Sequence, residues 1–257
     1  MNNWLDRHPS RYARWNYWGS NVRQHWRHYH HHGDWFGRDW WNRHRFRLGG
    51  WHYAYWYRSH PWNYWWSRPA YSTLVGWFNW SAPSNVWSQP VYYDYGTGGN
   101  VYYEDNNVYV GGEQVGTAAD FAASAAQLAT VEPPASQEEQ DNAEWMPLGT
   151  FAVSADEKET EPSRIVQLAV NREGIVSGTL YNTETDDAQT LLGQVDKDTQ
   201  RVAMRVGESD DVIMETGLYN LTKDEAPVMI HFGLDRVEYW LLVRLDANED
   251  GPTVDGQ

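Results

Sequence analysis

The chain contains no cysteine among its 257 residues. Disulfide bonds, thiolate metal sites and a cysteine nucleophile are therefore excluded, while the redox compartment stays open. No apolar run approaches the roughly 18 residues of a membrane-spanning helix. The first residues, Met1 to His8, also lack the apolar core of a secretory signal. The sequence leaves open a cytoplasmic protein and a signal that lies upstream of this start.

Aliphatic side chains are nearly missing from the first 70 residues, where they are limited to Met1, Leu5, Val22 and Leu48. Lysine and glutamate are absent there, and 11 arginines face three acids, a formal charge of +8. Up to Trp87 the chain instead holds 15 of its 17 tryptophans and 9 of its 10 histidines. A core of Trp and Tyr is hard to fill, because the rings need partners for their N–H and O–H groups.

Apolar and charged groups are mixed at every spacing in this part of the chain, so neither helical nor strand periodicity is recognised. We therefore expect residues 1–90 to form a low-complexity arm that is mostly irregular. Residues 1–85 are expected to be poorly ordered in isolation and to be cut first by limited proteolysis. The name "arm" is used for residues 1–90 throughout.

Residues 71–257 carry 9 basic and 32 acidic residues, a charge of −23 that brings the whole chain to −15. Such asymmetry indicates a basic aromatic arm carried by an acidic folded part. Composition divides that part into a small β-meander with a short helix at 91–130, a linker at 131–144, an acidic antiparallel β domain at 145–247 and an acidic tail at 248–257.

Short β-forming segments separated by Gly and Asn clusters predict the meander, at Val91–Tyr95, Val101–Tyr103 and Val108–Val110. Thr117 followed by Asp120 is typical of a capping box, and the Ala-rich run that follows predicts one short helix to Ala129.

From Trp145 onward apolar residues alternate with polar ones. This period predicts eight strands, at 148–154, 164–171, 174–182, 189–195, 200–206, 212–219, 227–232 and 238–245. The alternation favours an antiparallel sheet with one buried face, and the connections between the strands are short, polar and acid-rich. The fold class is therefore mainly β, a compact antiparallel β-meander closed as a barrel or packed as a sandwich.

The densest candidate site is a histidine cluster in the arm, with His25 and His44 nearby. Neutral imidazole binds Zn, Cu and Ni, and this makes the cluster a candidate metal site, formed by His28, His30, His31 and His32. A pH-sensitive polar stretch is the alternative. No cofactor is expected.

Arginine interleaved with Trp and Tyr has two functional interpretations. Arginines can neutralise phosphates while rings stack on bases. Alternatively, rings can stack on the sugar faces of an envelope polysaccharide, or pair with arginine in contacts to a protein or to another copy of the chain. No recognised nucleic-acid module surrounds these residues, and the acidic part repels such a polymer. The second interpretation is favoured.

Three acidic pairs, Asp186-Asp187, Asp210-Asp211 and Asp224-Glu225, fall in predicted turns, where solvated acids are normal. His231 is predicted on the outer face of a strand, and no nucleophile-elbow motif accompanies it. The sequence therefore predicts a protein that is not an enzyme.

Several segments resemble a group of mu-protocadherin-like cell-surface proteins of planctomycete bacteria: Tyr93–Gly96, Val108–Thr117, Val176–Asn182 and Trp240–Leu245. The resemblance spans residues 91–130 and 145–245 and leaves the arm unmatched. It implies an exported, envelope-associated bacterial protein, and it brings no catalytic residues to transfer.

The leading hypothesis is a non-enzymatic interaction or adhesion protein of the cell surface or envelope, with the arm as its adhesive element. The alternative is a small-ligand-binding β-barrel that the arm tethers. A filled barrel interior favours the first hypothesis, and a lined internal cavity favours the second.

Overall fold

Eight antiparallel strands close into a barrel between Trp145 and Leu245 in the computed structural model. The structure describes residues 4–27, 35–44, 50–55, 59–81 and 83–247. Each strand pairs with its neighbours in sequence, and the last strand pairs with the first, so the barrel is an up-and-down meander. The strands are β4 (Trp145–Ser154), β5 (Arg164–Asn171), β6 (Ile175–Asn182), β7 (Asp187–Val195), β8 (Arg201–Val206), β9 (Val212–Gly217), β10 (Glu225–Phe232) and β11 (Arg236–Leu245).

The predicted fold class is confirmed. All eight predicted strands are present, and closure of β11 onto β4 selects the barrel over the sandwich. The capping box is present as well, because Thr117 Oγ1 accepts from the Asp120 backbone N–H at 3.1 Å and starts helix α6 (Ala118–Leu128).

Apolar side chains that point inward form one cluster inside the barrel. The deepest are at most 1 % exposed: Phe151, Leu168, Val176, Met204, Met214, Ile230 and Leu242. An eight-stranded barrel is just wide enough for side chains to fill it. The interior of the barrel is therefore a packed core.

One end of the barrel is closed by the last part of the arm, which contains helices α4 (Tyr71–Val75) and α5 (Ser84–Trp87). Leu74 is fully buried there. Trp87 donates its indole N–H to the Lys197 carbonyl at 2.6 Å. Gly174, with a φ of +84°, lies so close under the Trp80 ring that a Cβ would approach it to 1.9 Å. These contacts fix residues 71–81 and 83–87 across the barrel end.

The described residues of the arm before position 71 pack against the outer wall of the barrel. Its described helices are α1 (Trp4–Arg7), α2 (Pro9–Arg27) and α3 (Arg38–Arg43), with 3-10 turns at Tyr53–Tyr55 and Trp62–Trp66. One stripe of α2 is buried at helical spacing: Arg11, Trp15, Trp18, Gly19, Val22 and Trp26. The expectation of a mostly irregular arm without helical periodicity is corrected for these residues. The prediction that the arm is poorly ordered in isolation stays a prediction, because here it is packed on the barrel.

The physical reason lies in the outer wall, where small and polar side chains lie among the apolar side chains that the arm covers. Ala152 and Ala169 leave room for large rings and pack in one cluster with them. Trp18 donates its indole N–H to Ser154 Oγ at 2.8 Å, and Tyr53 donates its hydroxyl to Gln167 Oε1 at 3.1 Å. For Trp18 and Tyr53, the barrel thus supplies the polar partner that the ring needs when it is buried.

His52 links the arm to this wall and is 2 % exposed. Its Nδ1 accepts from the Ala54 backbone N–H at 3.1 Å, and its Nε2 lies 3.3 Å from Thr179 Oγ1. Burial lowers the pKa of His52 from 6.5 to about 3. The charged form is therefore disfavoured in the folded state.

We expect acid to destabilise the protein through His52. The stabilisation is complete above pH 6.5 and is lost as the pH falls from 6.5 toward 3, by about 2 kcal/mol at pH 5. Urea unfolding at pH 7 and pH 5 measures the loss. It should shrink in His52→Gln and persist in His25→Gln, whose side chain is partly exposed on α2. An unchanged loss in His52→Gln contradicts the assignment.

A second unit covers the barrel wall at β8–β11. Strands β1 (Val101–Glu104), β2 (Asn107–Val110) and β3 (Glu113–Thr117) form an antiparallel sheet that leads into α6. The predicted strand at Val91–Tyr95 is wrong, since only Tyr95 forms an isolated bridge there. The predicted linker at 131–144 contains helix α7 (Gln137–Asn142).

A buried ion pair lies beneath this unit. Glu215 is fully buried and accepts two hydrogen bonds from Arg201, at 3.1 and 2.9 Å, and lies 3.0 Å from His231 Nε2. Burial raises the pKa of Glu215, but Arg201 and His231 outweigh burial and lower it. Arg201 also donates to Ser124 Oγ of α6 at 3.1 Å, so the pair attaches the helix to the barrel.

Within the described ranges, no helix combines the length and the apolar character needed to cross a membrane.

Candidate functional site: an aromatic cleft at the arm–barrel junction

A cleft of about 560 Å³ lies where the start of the arm meets the connection between β9 and β10. Its aromatic lining consists of Trp4, Tyr12, Trp15, Tyr92 and Tyr219, and its ionisable lining otherwise consists of Asp6, Arg68, Lys223, Asp224 and Glu225. Leu5, Pro9, Pro90 and Thr222 complete the wall. Three distant parts of the chain therefore form one site.

The arm side of the cleft is held by Asp94, which is fully buried. The carboxylate accepts two hydrogen bonds from Arg11, at 2.8 and 2.6 Å. It also accepts the indole N–H groups of Trp4, at 2.9 Å, and Trp15, at 3.0 Å. Four donors on one carboxylate fix both tryptophans relative to the barrel.

Asp94 itself is positioned by Asn100. The Asp94 backbone N–H donates to Asn100 Oδ1 at 2.8 Å, and Asn100 Nδ2 donates to the Tyr92 carbonyl at 2.8 Å. Arg11 extends the same network by donating to the carbonyls of Tyr95 and Thr97, both at 3.0 Å. The turn after residue 93 therefore acts as a rigid socket for the first turn of α2.

The barrel side of the cleft is a turn with a 3-10 helix at Asn220–Thr222. Asn220 is buried and bonds both backbone groups of Tyr93, accepting at 3.0 Å and donating at 2.6 Å. Lys223 Nζ donates to the Tyr219 hydroxyl at 2.6 Å and lies 4.1 Å from the centre of its ring. Both sides of the cleft are thus anchored on residues 92–95.

The rings of the cleft differ in their exposure. Trp4 stacks on His8 with ring centres 3.6 Å apart, which leaves one ring face for the cleft. Tyr12 is 50 % exposed, whereas Tyr92 is buried. Burial, and after it the charges of Asp94 and Glu225, raise the pKa of Tyr92 well above its usual value. Its hydroxyl therefore stays protonated and can donate.

The charges of the cleft are largely paired. Arg68 forms an ion pair with Asp224, and Arg23 of α2 forms one with Glu225. The Arg23–Glu225 contact lies where Gly19 lets α2 approach closely, since a Cβ on Gly19 would come within 2.6 Å of Glu225 Oε1. The cleft presents polar groups with little net charge.

The predicted metal residues, His28, His30, His31 and His32, lie outside the described residues. Both nearby histidines are described: His25 lies on α2, and His44 Nε2 lies 2.8 Å from Asp186 Oδ1. Within the described part of the chain, no group of three or more His, Cys, Asp or Glu side chains is arranged to hold a metal ion.

His231, predicted on an outer strand face, points outward from the barrel but is buried against Glu215. Of the acidic pairs noted in the sequence, Asp224-Glu225 reaches the cleft and the other two do not. Sequence reasoning missed Asp94 and the arm residues of the cleft. The available signal was a lone acid inside the aromatic run Tyr92-Tyr93-Asp94-Tyr95.

No family model, no curated protein and no solved structure matches this chain, so its function has to be inferred from the cleft itself.

Proposed function

We propose that this protein is a non-enzymatic interaction protein of the cell surface or envelope, and that it binds a polysaccharide chain in the aromatic cleft. The observation that carries the proposal is the cleft itself, in which fixed rings and paired polar groups surround about 560 Å³. That volume falls within the roughly 300–1,000 Å³ of small-ligand sites.

The rings provide apolar faces for sugar rings. The C–H face of a pyranose is weakly apolar and packs on flat aromatic surfaces, because both exclude water there. Trp4 is held by Asp94 and His8 before any ligand arrives, so little conformational entropy is lost on binding. Tyr12 adds an exposed ring on the same wall.

The polar groups suit hydroxyls better than ions. Carboxylates accept from sugar hydroxyls, and ammonium or guanidinium groups donate to them. Because Asp224 and Glu225 are already paired with Arg68 and Arg23, the cleft offers no strong net charge to an ionic ligand. This supports a neutral, hydroxyl-rich chain.

The same pairing argues for binding over hydrolysis. Glycosidases use one carboxylic acid to protonate the leaving oxygen and a second carboxylate opposite it. Here each carboxylate of the Asp224-Glu225 pair contacts its own arginine. The arginines Arg11, Arg23 and Arg68 are likewise engaged with carboxylates of the same chain, which supports a saccharide over a nucleic acid as partner.

Replacing Tyr12 with alanine should weaken saccharide binding by about fivefold, the equivalent of roughly 1 kcal/mol for one aromatic contact. Tyr17→Ala is the matched control, since Tyr17 is an even more exposed tyrosine of α2, at 72 %, and does not line the cleft. The full chain is tested for retention on cellulose, chitin and peptidoglycan, and by calorimetry with soluble fragments of whichever polymer retains it.

Binding that falls in Tyr12→Ala and persists in Tyr17→Ala supports the proposal. Failure of all three polymers to retain the protein, or equal affinities for the two variants, overturns it.

A further inference from the structure

The barrel end opposite residues 71–87 is built from four connections, 155–163, 183–186, 207–211 and 233–235, and is called the barrel mouth here. Inward-pointing apolar side chains become partly exposed at this level, whereas those deeper in the barrel are fully buried. The partly exposed residues are Leu180, Val206, Val212, Phe232 and Trp240. Leu234, at the tip of the last connection, is 54 % exposed.

The mouth is also where the charge of the barrel is concentrated. Its four connections carry ten carboxylates and one lysine, a net charge of −9. The three connections at the opposite end, 172–174, 196–200 and 218–224, carry four carboxylates and three basic residues, a net charge of −1. An apolar surface inside an acidic rim therefore marks one end only.

Guanidinium groups already occupy this surface. Arg164 Cζ lies 4.5 Å from the centre of the Trp240 ring, and Arg236 Cζ lies 3.9 Å from that of Phe232. The Arg236 side chain is 62 % exposed. At the rim, Arg14 of the arm forms an ion pair with Glu157. Arginines of the chain itself therefore already bind at the mouth, beside aromatic rings and beside a carboxylate.

We propose that the barrel mouth docks a cationic segment of a partner protein, one in which arginine or lysine alternates with apolar side chains. The apolar groups would cover Phe232, Trp240 and the aliphatic residues beside them, and the cations would face the carboxylates of the rim. Arg14, Arg164 and Arg205 pair with three carboxylates of the connections, so their net charge of −9 becomes −6. Charge complementarity still selects this occupant, because an acidic rim repels anionic partners and steers cationic ones. The surface is separate from the aromatic cleft.

The probe is a fluorescein-labelled peptide of Arg-Leu repeats, tested by anisotropy against the full chain. Glu208→Lys/Asp211→Lys reverses two exposed charges of the mouth, and Glu113→Lys/Asp198→Lys reverses two exposed charges elsewhere. Both double variants change the net charge equally. We expect the mouth variant to bind about tenfold more weakly and the control to bind as the unchanged protein does. Arg-Gly repeats of equal length should also bind more weakly.

Equal losses in the two double variants would reduce the effect to overall charge and overturn the proposal. Equal binding of Arg-Gly and Arg-Leu repeats would show that apolar side chains make no contact at the mouth, which also contradicts the proposal. The remaining candidate occupant is a second copy of this chain, which sedimentation of the chain alone detects as a dimer. A dimer that Glu208→Lys/Asp211→Lys abolishes would make the second copy the partner and overturn the assignment to another protein.

Discussion

Asp94→Ala should destabilise the folded protein by about 3–5 kcal/mol, since breaking a buried ion pair leaves the partner charge buried without compensation. Arg11 is 9 % exposed and keeps only the carbonyls of Tyr95 and Thr97 as acceptors. The indoles of Trp4 and Trp15 lose their acceptors at the same time. The first turns of the arm should therefore detach before the barrel unfolds.

Two measurements separate these effects. Urea unfolding gives the loss of stability, and trypsin cleavage after Arg11 or Arg14 reports detachment of the arm. Asp198→Ala removes an exposed carboxylate from the connection between β7 and β8. It should change the free energy of unfolding by no more than about 0.5 kcal/mol and leave the trypsin cleavage unchanged. A stability loss in Asp94→Ala no larger than in this control would show that the carboxylate does not hold the arm.

Removing the arm altogether should have a still larger effect. A chain of residues 91–257 exposes the outer wall that the arm covers, including Ile165, Leu241 and Val243, each 0 % exposed in the full chain. It also uncovers the barrel end that residues 71–87 close. Exposed apolar patches of this kind promote association. We expect the truncated chain to self-associate more strongly than the full chain, the reverse of what an adhesive arm predicts.

Light scattering of both chains at equal concentration measures this difference. Arg14→Ala/Arg68→Ala in the full chain is the control, because it removes two exposed ion pairs, worth roughly 0–1 kcal/mol each, and leaves the tryptophans in place. A truncated chain that stays monomeric would restore the arm as the adhesive element.

The barrel strands could be predicted because their period of two is local information. Val202, Met204 and Val206 of β8 alternate with the smaller or charged Ala203 and Arg205 whatever lies elsewhere in the chain. Closure into a barrel was not decided by that pattern, since a sandwich shows the same alternation. Pairing of β11 with β4 is a long-range contact that no window of sequence contains.

The packing of the arm on the barrel could not be predicted for a related reason. Its rings were expected to need partners from within the arm, whereas Trp18 and Tyr53 find them on the barrel, at Ser154 and Gln167. Small and polar residues at alternate positions of β4 to β6 were the visible counterpart of those rings. The spacing of Trp15, Trp18, Val22 and Trp26 would have predicted helix α2.

The candidate site was predictable only in part. Asp224-Glu225 could be placed in a turn, but the sequence could not show that Arg68 and Arg23 pair with it. The arm side of the cleft depends on Asp94, which accepts hydrogen bonds from residues of α1 and α2 that lie more than 75 positions earlier in the chain.

The long separation between ring and partner has a consequence for synthesis on the ribosome. Trp18 precedes its partner Ser154 by 136 residues, and the wall is complete only when β11 pairs with β4. At roughly 5–20 residues per second, the 227 residues from Trp18 to Leu245 take about 11–45 s to synthesise, and Trp18 has no complete binding surface until then. During that interval a strongly aromatic, cationic nascent chain is accessible to chaperones, and slower elongation lengthens its exposure.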